Sequence, residues 1–516
     1  MIYLIHENNS VVEILDNEFN PVDYNFKRTI AGTLLDLANR YPTELIIWCH
    51  KSLKNFINKD FLNSIFHHDR IMASYTISKR NYIHDGIGYV DQTIYIKINN
   101  KVTYPTWLMS SDIGGIHSSI LLTIIKKIKS YKDFNFFLNS IAKNAMPQGM
   151  FCYSEPNLLL YEDKPIKDEL NPSSLILFKF VKLHYKLGWV FFLFLCFVLY
   201  DNKFPLLQLL NTVRFKRLKN DYDFGTLPTM STKNIVNKKE VDVIIPTIGR
   251  KKYLFNVLKD LSNQTVLPKN VIIVEQNPEP NSKSELDYLV NEQWPFNIKH
   301  NFIHQTGVCN ARNLAIDQVT SEWTFFGDDD IHFENDLIEK ALNQIAKFGI
   351  KAINTVCLQP NEIQTYNKTS QSTIFGSGTS FVKSDLLSKI KFDLKFEHNY
   401  GEDSDFGMQL RNQGEDVIFI SNIIITHLKA PVGGYRIKHK NEWDDEKYSP
   451  KPSPTIMLFN HRYFTYEQIK GYKLLLYTKF YKGQSTKNPF RYIFLMNKRW
   501  SSSLHWSHIL ANKKNA

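Results

Sequence analysis

Residues 323–330 read Trp-Thr-Phe-Phe-Gly-Asp-Asp-Asp, a short apolar run that ends in three adjacent aspartates. The apolar residues predict a buried strand over Trp323–Gly327, and the aspartates follow at its carboxyl end, where ligands gather in parallel sheets. Adjacent carboxylates repel one another unless a cation or a proton neutralises them. The triplet therefore predicts either a Mg²⁺ or Mn²⁺ site or an N-terminal cap for a helix over Glu334–Phe348.

Short β-rich runs alternate with amphipathic segments on both sides of this strand. Strands are predicted at Val241–Pro246, Asn270–Glu275 and Ile298–His304, and helices at Ser282–Trp294 and Cys309–Val319. This alternation indicates an α/β domain with a mixed, mostly parallel, Rossmann-like sheet.

A second acidic cluster, Gly401-Glu402-Asp403-Ser404-Asp405, opens another predicted helix. A strand predicted over Val417–His427 then places a histidine at its end. Strand-end carboxylates, a separate acidic pair and a late histidine are the groups needed to bind a diphosphate through a metal ion and to supply a general base. Taken alone, His427 fits a core or strand-end histidine paired within the fold better than a metal ligand.

In this order, these elements resemble the family 2 glycosyltransferases of the GT-A fold, from Val241 to about Lys438. The supporting motifs are Ile245-Pro246-Thr247 with Arg250, Glu275 after a strand, Gly307-Val-Cys-Asn-Ala-Arg-Asn313, the aspartate triplet and the Glu402–Asp403 pair. The resemblance implies transfer of a sugar from a nucleotide-sugar donor to a glycan or lipid-linked acceptor, with inversion at the anomeric carbon.

The resemblance also implies a role for each matching residue. Asp403, in the pair with Glu402, matches the catalytic base. Asp328 and Asp330 match the ends of the metal-binding Asp-x-Asp motif, which His427 joins. The implied donor-binding residues are Pro246, Thr247, Arg250, Glu275, Arg312, Asn313, Asp328 and Asp329.

The glycine-rich segment Gly376-Ser377-Gly378 lies between the triplet and the predicted base. Glycines allow a ligand to approach the backbone closely, and the resemblance places the acceptor here. A tight turn between two strands is the alternative.

Two other functional classes remain open at the level of sequence. A metal-dependent nucleotide-binding or nucleotidyl-transferring enzyme would also use strand-end aspartates. The formal net charge of +12 would suit a nucleic-acid-binding protein. However, the basic residues are dispersed and no zinc-finger or RNP-like motif is present, so no nucleic-acid partner is expected.

The length of 516 residues predicts two to four structural units. We assign 1–174 to an α/β domain, either non-catalytic or a degenerate transferase; 175–239 to an aromatic, basic helical segment and linker; 240–445 to the transferase domain; and 446–516 to a basic, aromatic helical tail. In the first domain, strands are predicted at Glu44–Trp48 and Gln92–Ile98 and helices at Ile30–Arg40 and Ser119–Lys129. Its Ser110-Ser-Asp112 segment is only faintly similar to a metal site.

The apolar run Gly188–Tyr200 is shorter than the roughly 20 residues that a membrane-spanning helix needs. It predicts either an interfacial helix on an anionic membrane or a buried helix. The five scattered cysteines suggest neither a disulfide framework nor a zinc site, which favours a cytoplasmic protein, with peripheral attachment to the inner face of the cell membrane as an extension.

Overall fold

The computed structural model describes residues 1–24, 29–125, 132–160, 173–431 and 439–513. The chain folds into two compact units. The N-terminal unit comprises Met1–Lys233 and Phe464–Phe480, and the C-terminal unit comprises Asn234–Tyr463 and Tyr481–Ala516. Each unit has its own sheet, which confirms the predicted fold class of two α/β halves with a helical tail. The predicted end of the family resemblance at Lys438 lies outside the described residues.

The N-terminal sheet has seven strands in the described residues, ordered β2-β1-β3-β6-β4-β7-β5. The strands are β1 (Ile2–Glu7), β2 (Ser10–Leu15), β3 (Leu45–His50), β4 (Ile71–Tyr75), β5 (Tyr104–Pro105), β6 (Ile113–His117) and β7 (Phe151–Ser154). The pairs β1/β3 and β4/β7 are parallel, whereas β6 runs antiparallel to both of its neighbours, β3 and β4. Consequently β1, β3, β4 and β7 all end at the same edge of the sheet.

The helices that accompany this sheet are α1 (Ile30–Arg40), α2 (Lys59–Ile65), α3 (Ser118–Ile124), α4 (Phe134–Ala145), α5 (Ser174–His184), α6 (Leu187–Tyr200) and α7 (Leu206–Val213). The predicted helix Ile30–Arg40 and the predicted strand at Glu44–Trp48 are confirmed by α1 and β3. The predicted helix Ser119–Lys129 is present as α3, and its last residues lie outside the described part of the chain.

The strand predicted at Gln92–Ile98 is wrong. Ile94, Tyr95 and Ile96 are buried consecutively, without the alternation of a strand with one exposed face. Side chains satisfy their backbone carbonyls, because Tyr104 Oη donates to Ile94 O and Thr106 Oγ1 donates to Tyr95 O. The apolar run is therefore an irregular core segment.

Helix α6 has two different faces. Val190, Leu193, Cys196 and Phe197 are buried, while the side chains of Leu187, Phe191, Leu195 and Leu199 are 40–51% exposed. No helix among the described residues is both long enough and apolar enough to span a bilayer.

The C-terminal sheet is mixed and has nine strands in the described residues. They are β8 (Val241–Thr247), β9 (Asn270–Gln276), β10 (Asn297–Ile303), β11 (Trp323–Gly327), β12 (Ile331–Phe333), β13 (Ala352–Leu358), β14 (Ser370–Gln371), β15 (Thr379–Lys383) and β16 (Ile418–His427). The order is β10-β9-β8-β11-β15-β13-β16-β12, and β14 pairs with β16. Pairing is parallel from β10 to β11 and between β13 and β16, whereas β15 is antiparallel to both of its neighbours.

The remaining helices are α8 (Lys251–Ser262), α9 (Tyr288–Asn291), α10 (Val308–Ile316), α11 (Leu337–Phe348), α12 (Glu402–Asn412), α13 (Pro454–Tyr463), α14 (Tyr466–Tyr481) and α15 (Pro489–Asn512). Most of α14 belongs to the N-terminal unit. The helix predicted at Ser282–Trp294 is largely wrong, because only the short α9 forms there. The Glu275 carboxylate accepts a hydrogen bond from the Glu285 N–H at 3.1 Å, which draws this segment over the end of β9 instead.

A buried aspartate at the start of β8 ties three segments of the C-terminal unit together. The Asp242 carboxylate accepts hydrogen bonds from Asn270 Nδ2 (2.7 Å), the Thr320 N–H (2.7 Å), the Ser321 N–H (3.0 Å) and Ser321 Oγ (2.6 Å). Burial alone would raise the pKa of Asp242, but the hydrogen bonds from Ser321, Thr320 and Asn270 lower it.

Asp242→Ala leaves these buried donors unpaired. We expect the free energy of unfolding of the C-terminal unit to fall by about 3 kcal/mol. Because the pKa is lower in the folded state than in the unfolded chain, this contribution is present above about pH 4 and is lost as the pH falls through the lowered value. Calorimetric scans of wild type, Asp242→Ala and the exposed control Asp385→Ala would measure it, and an unchanged transition in Asp242→Ala would contradict the assignment.

Candidate active site

Four phenylalanines beneath the carboxyl edge of the C-terminal sheet hold the predicted site segments together. Phe326 lies just before the aspartate triplet, Phe375 just before Gly376, and Phe406 one turn of α12 after Asp403. The ring centroids of Phe326 and Phe375 are 5.3 Å apart, those of Phe375 and Phe406 are 4.8 Å apart, and Phe392 stacks on Phe406 at 4.4 Å. The packing of this aromatic cluster therefore brings segments distant in sequence to one place.

The three aspartates of the triplet point to different partners. Asp328 Oδ1 lies 3.0 Å from Arg312 Nη2. Asp329 accepts hydrogen bonds from Thr247 Oγ1 and Arg250 Nη1, both at 2.6 Å. Within the protein, two arginines thus supply much of the positive charge that the sequence analysis assigned to a metal ion.

Asp330, like Asp329, is almost fully buried. Its Oδ2 accepts a hydrogen bond from the Ala430 N–H at 2.8 Å and lies 3.3 Å from Arg250 Nη1, and its Oδ1 lies 3.2 Å from His427 Nε2. Burial alone would raise the pKa of Asp330, but the contacts with His427, Ala430 and Arg250 lower it. The contact with Asp330 in turn raises the pKa of His427.

The alternative interpretation of the triplet as a helix cap is wrong. Helix α11 begins at Leu337, its N-cap residue is Asp336, and the short strand β12 separates this helix from the triplet. The three carboxylates instead form part of the sheet edge.

The predicted metal ligands Asp328, Asp330 and His427 do not form one cluster. Among the described residues there is no group of three or more His, Cys, Asp or Glu side chains arranged to hold a metal ion. However, the buried Asp330 Oδ1 lacks a hydrogen-bond partner of good geometry in the described part of the chain. Its 3.2 Å separation from His427 Nε2 is close to the about 3 Å expected between adjacent ligands of an octahedral ion bound at about 2.1 Å. These two residues fit part of a metal site.

Asp403, the predicted catalytic base, has an unusual environment for a carboxyl group. It lies in the first turn of α12, half-buried, and accepts a hydrogen bond from Ser377 Oγ. Burial and the neighbouring charge of Glu402 raise the pKa of Asp403 to about 7, and the charge of Arg312 opposes the shift. A carboxyl group that titrates near neutral pH can accept a proton and release it again.

The structure confirms the turn interpretation of the segment Gly376–Gly378, whereas its place at the acceptor stays a prediction. It forms a tight turn, in which the Thr379 N–H donates to Gly376 O at 3.0 Å. At the same time Gly378 packs so closely against Asp328 that a Cβ atom at this position would overlap the carboxylate. The turn therefore brings Asp328 and, through Ser377, Asp403 to the same backbone segment.

Gly378→Ala should displace the Asp328 carboxylate and disrupt its contact with Arg312. We expect loss of most sugar transfer with little change in unfolding temperature, since the glycine lies at the surface edge of the sheet. Gly327→Ala is a matched control, because its added methyl group would meet no atom closer than 3.4 Å. Equal activity of the two variants would show that the close approach of Gly378 to Asp328 is unimportant.

The predicted donor-binding residues divide into two groups. Pro246 is buried within β8, opposite Val274 of β9, and Glu275 at the end of β9 lies 2.9 Å from His300 Nε2. Asn313 exchanges two hydrogen bonds with the backbone of Phe392, at 2.8 and 2.9 Å, so both of its polar side-chain atoms are engaged within the protein. Thr247, Arg250, Arg312 and Asp329 belong to the charged network at the triplet. Direct contact of any of them with a donor remains a prediction.

These geometric features agree with a comparison against known protein families. The model of glycosyl transferase family 2 matches residues 242–408, which contain the triplet, the Gly376–Gly378 turn and Asp403. Residues 242–408 are a family 2 glycosyltransferase domain. His427 and Ala430 lie beyond the matched segment of this transferase domain.

Solved structures show weaker similarities. S. aureus TarS 1-349 is 19% identical, with a TM-score of 0.32, and the match covers 37% of this chain and 60% of that one. The same protein in complex with UDP-GlcNAc is 16% identical, with a TM-score of 0.34 and coverages of 52% and 74%. GalNAc-T7 with UDP, GalNAc and Mn²⁺ is 12% identical, with a TM-score of 0.31 and coverages of 40% and 45%. No curated protein matches the chain.

The C-terminal unit also contains polar contacts near the site that the sequence analysis missed. Glu397 accepts hydrogen bonds from the Cys309 and Asn310 N–H groups at the start of α10, the helix that carries Arg312. Asp405 accepts hydrogen bonds at 2.9 Å from Arg462 Nη1 and Tyr463 Oη at the end of α13. Glu397 and Arg462 lie in no motif with a recognisable spacing, so the sequence pattern did not identify them.

Proposed function

We propose that the C-terminal unit transfers a sugar from a nucleotide-diphosphate donor to an acceptor hydroxyl, with Asp403 as the catalytic base. The main support is that the Gly376–Gly378 turn contacts both Asp403, whose pKa is raised to about 7, and Asp328, which pairs with Arg312. A family 2 domain sequence over these residues supports the same chemistry.

Asp403 accepts the proton of the acceptor hydroxyl as that oxygen attacks the anomeric carbon. The bond to the nucleotide diphosphate breaks as the new glycosidic bond forms, so the anomeric configuration inverts. The acceptor we propose is a glycan or lipid-linked glycan of cell-surface polysaccharide synthesis. Glu402, buried beside Asp403, helps to keep the pKa of the base near neutrality.

The donor's diphosphate binds at the edge that carries Arg250 and Arg312, and its nucleoside lies towards Thr247 and Glu275 at the ends of β8 and β9. Asp330 and His427, with Asp328 as a further candidate, would hold Mg²⁺ or Mn²⁺ there. When bound, this ion neutralises the charge that develops on the leaving diphosphate.

A donor screen with the full chain tests the proposal. Nucleotide sugars are supplied with and without Mn²⁺, in the presence of glycan acceptors, and the products are identified by mass spectrometry. The proposal predicts release of a nucleoside diphosphate together with a glycosylated acceptor. Release of inorganic pyrophosphate would instead identify a nucleotidyl-transferring enzyme and overturn the assignment.

We also propose that the N-terminal unit docks on an anionic membrane through α6 and α7. Leu187, Phe191, Leu195 and Leu199 form an exposed stripe on α6, and α7 exposes Leu206, Leu207, Leu210 and Val213. The exposed cations Lys186, Lys203, Arg214, Lys216 and Arg217 flank these apolar residues. Apolar side chains beside clustered cations are typical of interfacial helices.

Flotation with phosphatidylserine vesicles tests this surface. We expect wild type to float with the vesicles and Phe191→Glu/Leu195→Glu to remain in the bottom fraction. The control Val12→Glu changes another exposed apolar position of the same unit and should float. Equal flotation of all three proteins would refute this docking surface.

A further inference from the structure

The N-terminal sheet repeats the central topology of the transferase sheet. In space, β1-β3-β6-β4-β7 corresponds to β8-β11-β15-β13-β16. Both series pair parallel, antiparallel, antiparallel and parallel in turn. Both also follow the same order along the chain, since β1, β3, β4, β6 and β7 match β8, β11, β13, β15 and β16. The correspondence identifies equivalent positions in the two units.

The position equivalent to the aspartate triplet lacks acidic residues. In the transferase sheet, β11 is followed directly by Asp328. In the N-terminal sheet, the equivalent strand β3 ends at His50 and is followed by Lys51 and Ser52. At this position the N-terminal unit therefore lacks the strand-end carboxylates on which the proposed transfer chemistry depends.

The position equivalent to the Gly376–Gly378 turn is, in contrast, an open cleft. The segment Ser110–Asp112 directly precedes β6, as Gly376–Gly378 directly precedes β15. It lines a cleft together with Ser74 near the end of β4 and Ser154 at the end of β7. A cleft at the carboxyl ends of parallel strands lies where ligands usually bind in such sheets.

The wall of the cleft is held rigidly by hydrogen bonds to its backbone. Asn139 bonds to both the N–H and the carbonyl of Met109, at 3.1 and 2.7 Å. Trp48 Nε1 donates to Ser110 O at 2.9 Å, and the Ser111 N–H donates to Asn135 Oδ1 at 2.8 Å. A wall fixed in this way loses little entropy when a ligand binds.

The side chains that line the cleft are mainly hydroxyls and amides, and the described residues contribute no lysine or arginine to this lining. Its carboxylate, Asp112, already accepts hydrogen bonds from Thr76 Oγ1 and the Ile77 N–H, both at 3.1 Å. Phosphate-bearing ligands are recognised by cations, which this lining does not offer. A neutral ligand with many hydroxyl groups fits it better.

We propose that this cleft binds a neutral saccharide. The side chains of Asn81, Asn100, Ser111 and Ser154 line it, and within the part of the chain that the structure describes they form no hydrogen bonds with protein groups. Each can both donate to and accept from sugar hydroxyls. The N-terminal unit is thus a non-catalytic copy of the transferase topology that retains a sugar-binding cleft. The proposal of saccharide binding is independent of the proposed function. Only the further statement that this saccharide is part of the acceptor glycan rests on the proposed function.

The experiment uses the full chain on an array of neutral and acidic oligosaccharides, with saturation-transfer NMR on the glycans that bind. The test variant is Asn81→Ala/Asn100→Ala/Ser111→Ala/Ser154→Ala, which removes the uncommitted groups without breaking a hydrogen bond within the protein. The matched control, Asn55→Ala/Asn63→Ala/Ser64→Ala, changes exposed positions of the same unit. Asp403→Asn is included to show that glycan binding at the cleft does not require the proposed catalytic base.

We expect wild type, the control and Asp403→Asn to bind the same neutral glycans. The cleft variant should bind these glycans at least tenfold more weakly and should unfold at the wild-type temperature. Glycan binding at the cleft does not depend on transferase activity. The proposed function could therefore fail while this binding is still observed. Absence of neutral-glycan binding, retention of binding in the cleft variant, or cleft-dependent binding of nucleotides or inorganic phosphate would each overturn the proposal.

Discussion

Asp403→Asn should lower the turnover number for sugar transfer by about 10³-fold and leave donor affinity nearly unchanged, because a general base typically contributes 10²- to 10⁴-fold. The amide has the shape of the carboxyl group and can still accept the hydrogen bond from Ser377, but it cannot take up the acceptor's proton. Single-turnover kinetics with saturating donor, together with donor affinity from thermal shift, would separate chemistry from binding.

Asp385→Asn is a suitable control for this substitution, since Asp385 is exposed and lies in the same unit. The pH dependence of wild-type kcat/KM provides an independent measurement. With the pKa of Asp403 raised to about 7, the base is protonated and inactive below this value, so the rate should rise as the pH increases through about 7. A parallel loss of donor affinity and turnover in Asp403→Asn, or a rate that does not change around pH 7, would contradict the role of Asp403.

Much of the transferase sheet could be predicted from the sequence, because its central strands carry their signal locally. The apolar residues of Trp323–Gly327 and the run at Asn270–Glu275 are fully buried in β11 and β9, as their composition indicates. The Ser282–Trp294 segment could not be predicted in this way, because the contact of Glu275 with the Glu285 N–H outweighs a weak helical preference. Local propensity determines structure only where no such tertiary contact competes with it.

The residue types of the site were predictable, whereas their pairing was not. Arg250 and Arg312 were identified as donor-binding residues from their motifs, yet in the folded chain each neutralises members of the aspartate triplet. The partner of each charge depends on how β8, α10 and β11 are placed side by side. Spacing along the chain contains no information on that placement, so the divergent orientation of the three aspartates could not be seen beforehand.

In the proposed mechanism, the same network would link donor binding to the base. Arg312 contacts Asp328 on one side, and its charge also opposes the raised pKa of Asp403. If the donor's diphosphate competes with Asp403 for the charge of Arg312, the carboxylate of the base becomes less stabilised and more basic when the donor is bound. This coupling would favour proton uptake at the stage when the acceptor hydroxyl attacks.

Asp330→Asn is expected to have the second-largest effect, a decrease of about 10²-fold or more in the rate of sugar transfer. The variant should also lose the increase in unfolding temperature that Mn²⁺ and a nucleoside diphosphate give together. The amide keeps an acceptor for the Ala430 N–H, but it removes the negative charge that faces His427 and Arg250. A hard divalent cation binds a neutral amide oxygen much more weakly than a carboxylate. Thermal unfolding of wild type and variant, with UDP alone, Mn²⁺ alone and both together, measures this without any turnover.

Asp287→Asn is the matched control, because Asp287 pairs with Lys251 at the surface and lies outside the triplet. If Asp330 holds the ion, Mn²⁺ and UDP together should raise the unfolding temperature of wild type and Asp287→Asn by more than the sum of their separate effects, and this excess should vanish in Asp330→Asn. If the excess persists in Asp330→Asn and disappears in an Asp328→Asn variant, the ion is held by Asp328. In that case Asp330 has a purely structural role, as the partner of Arg250 and His427.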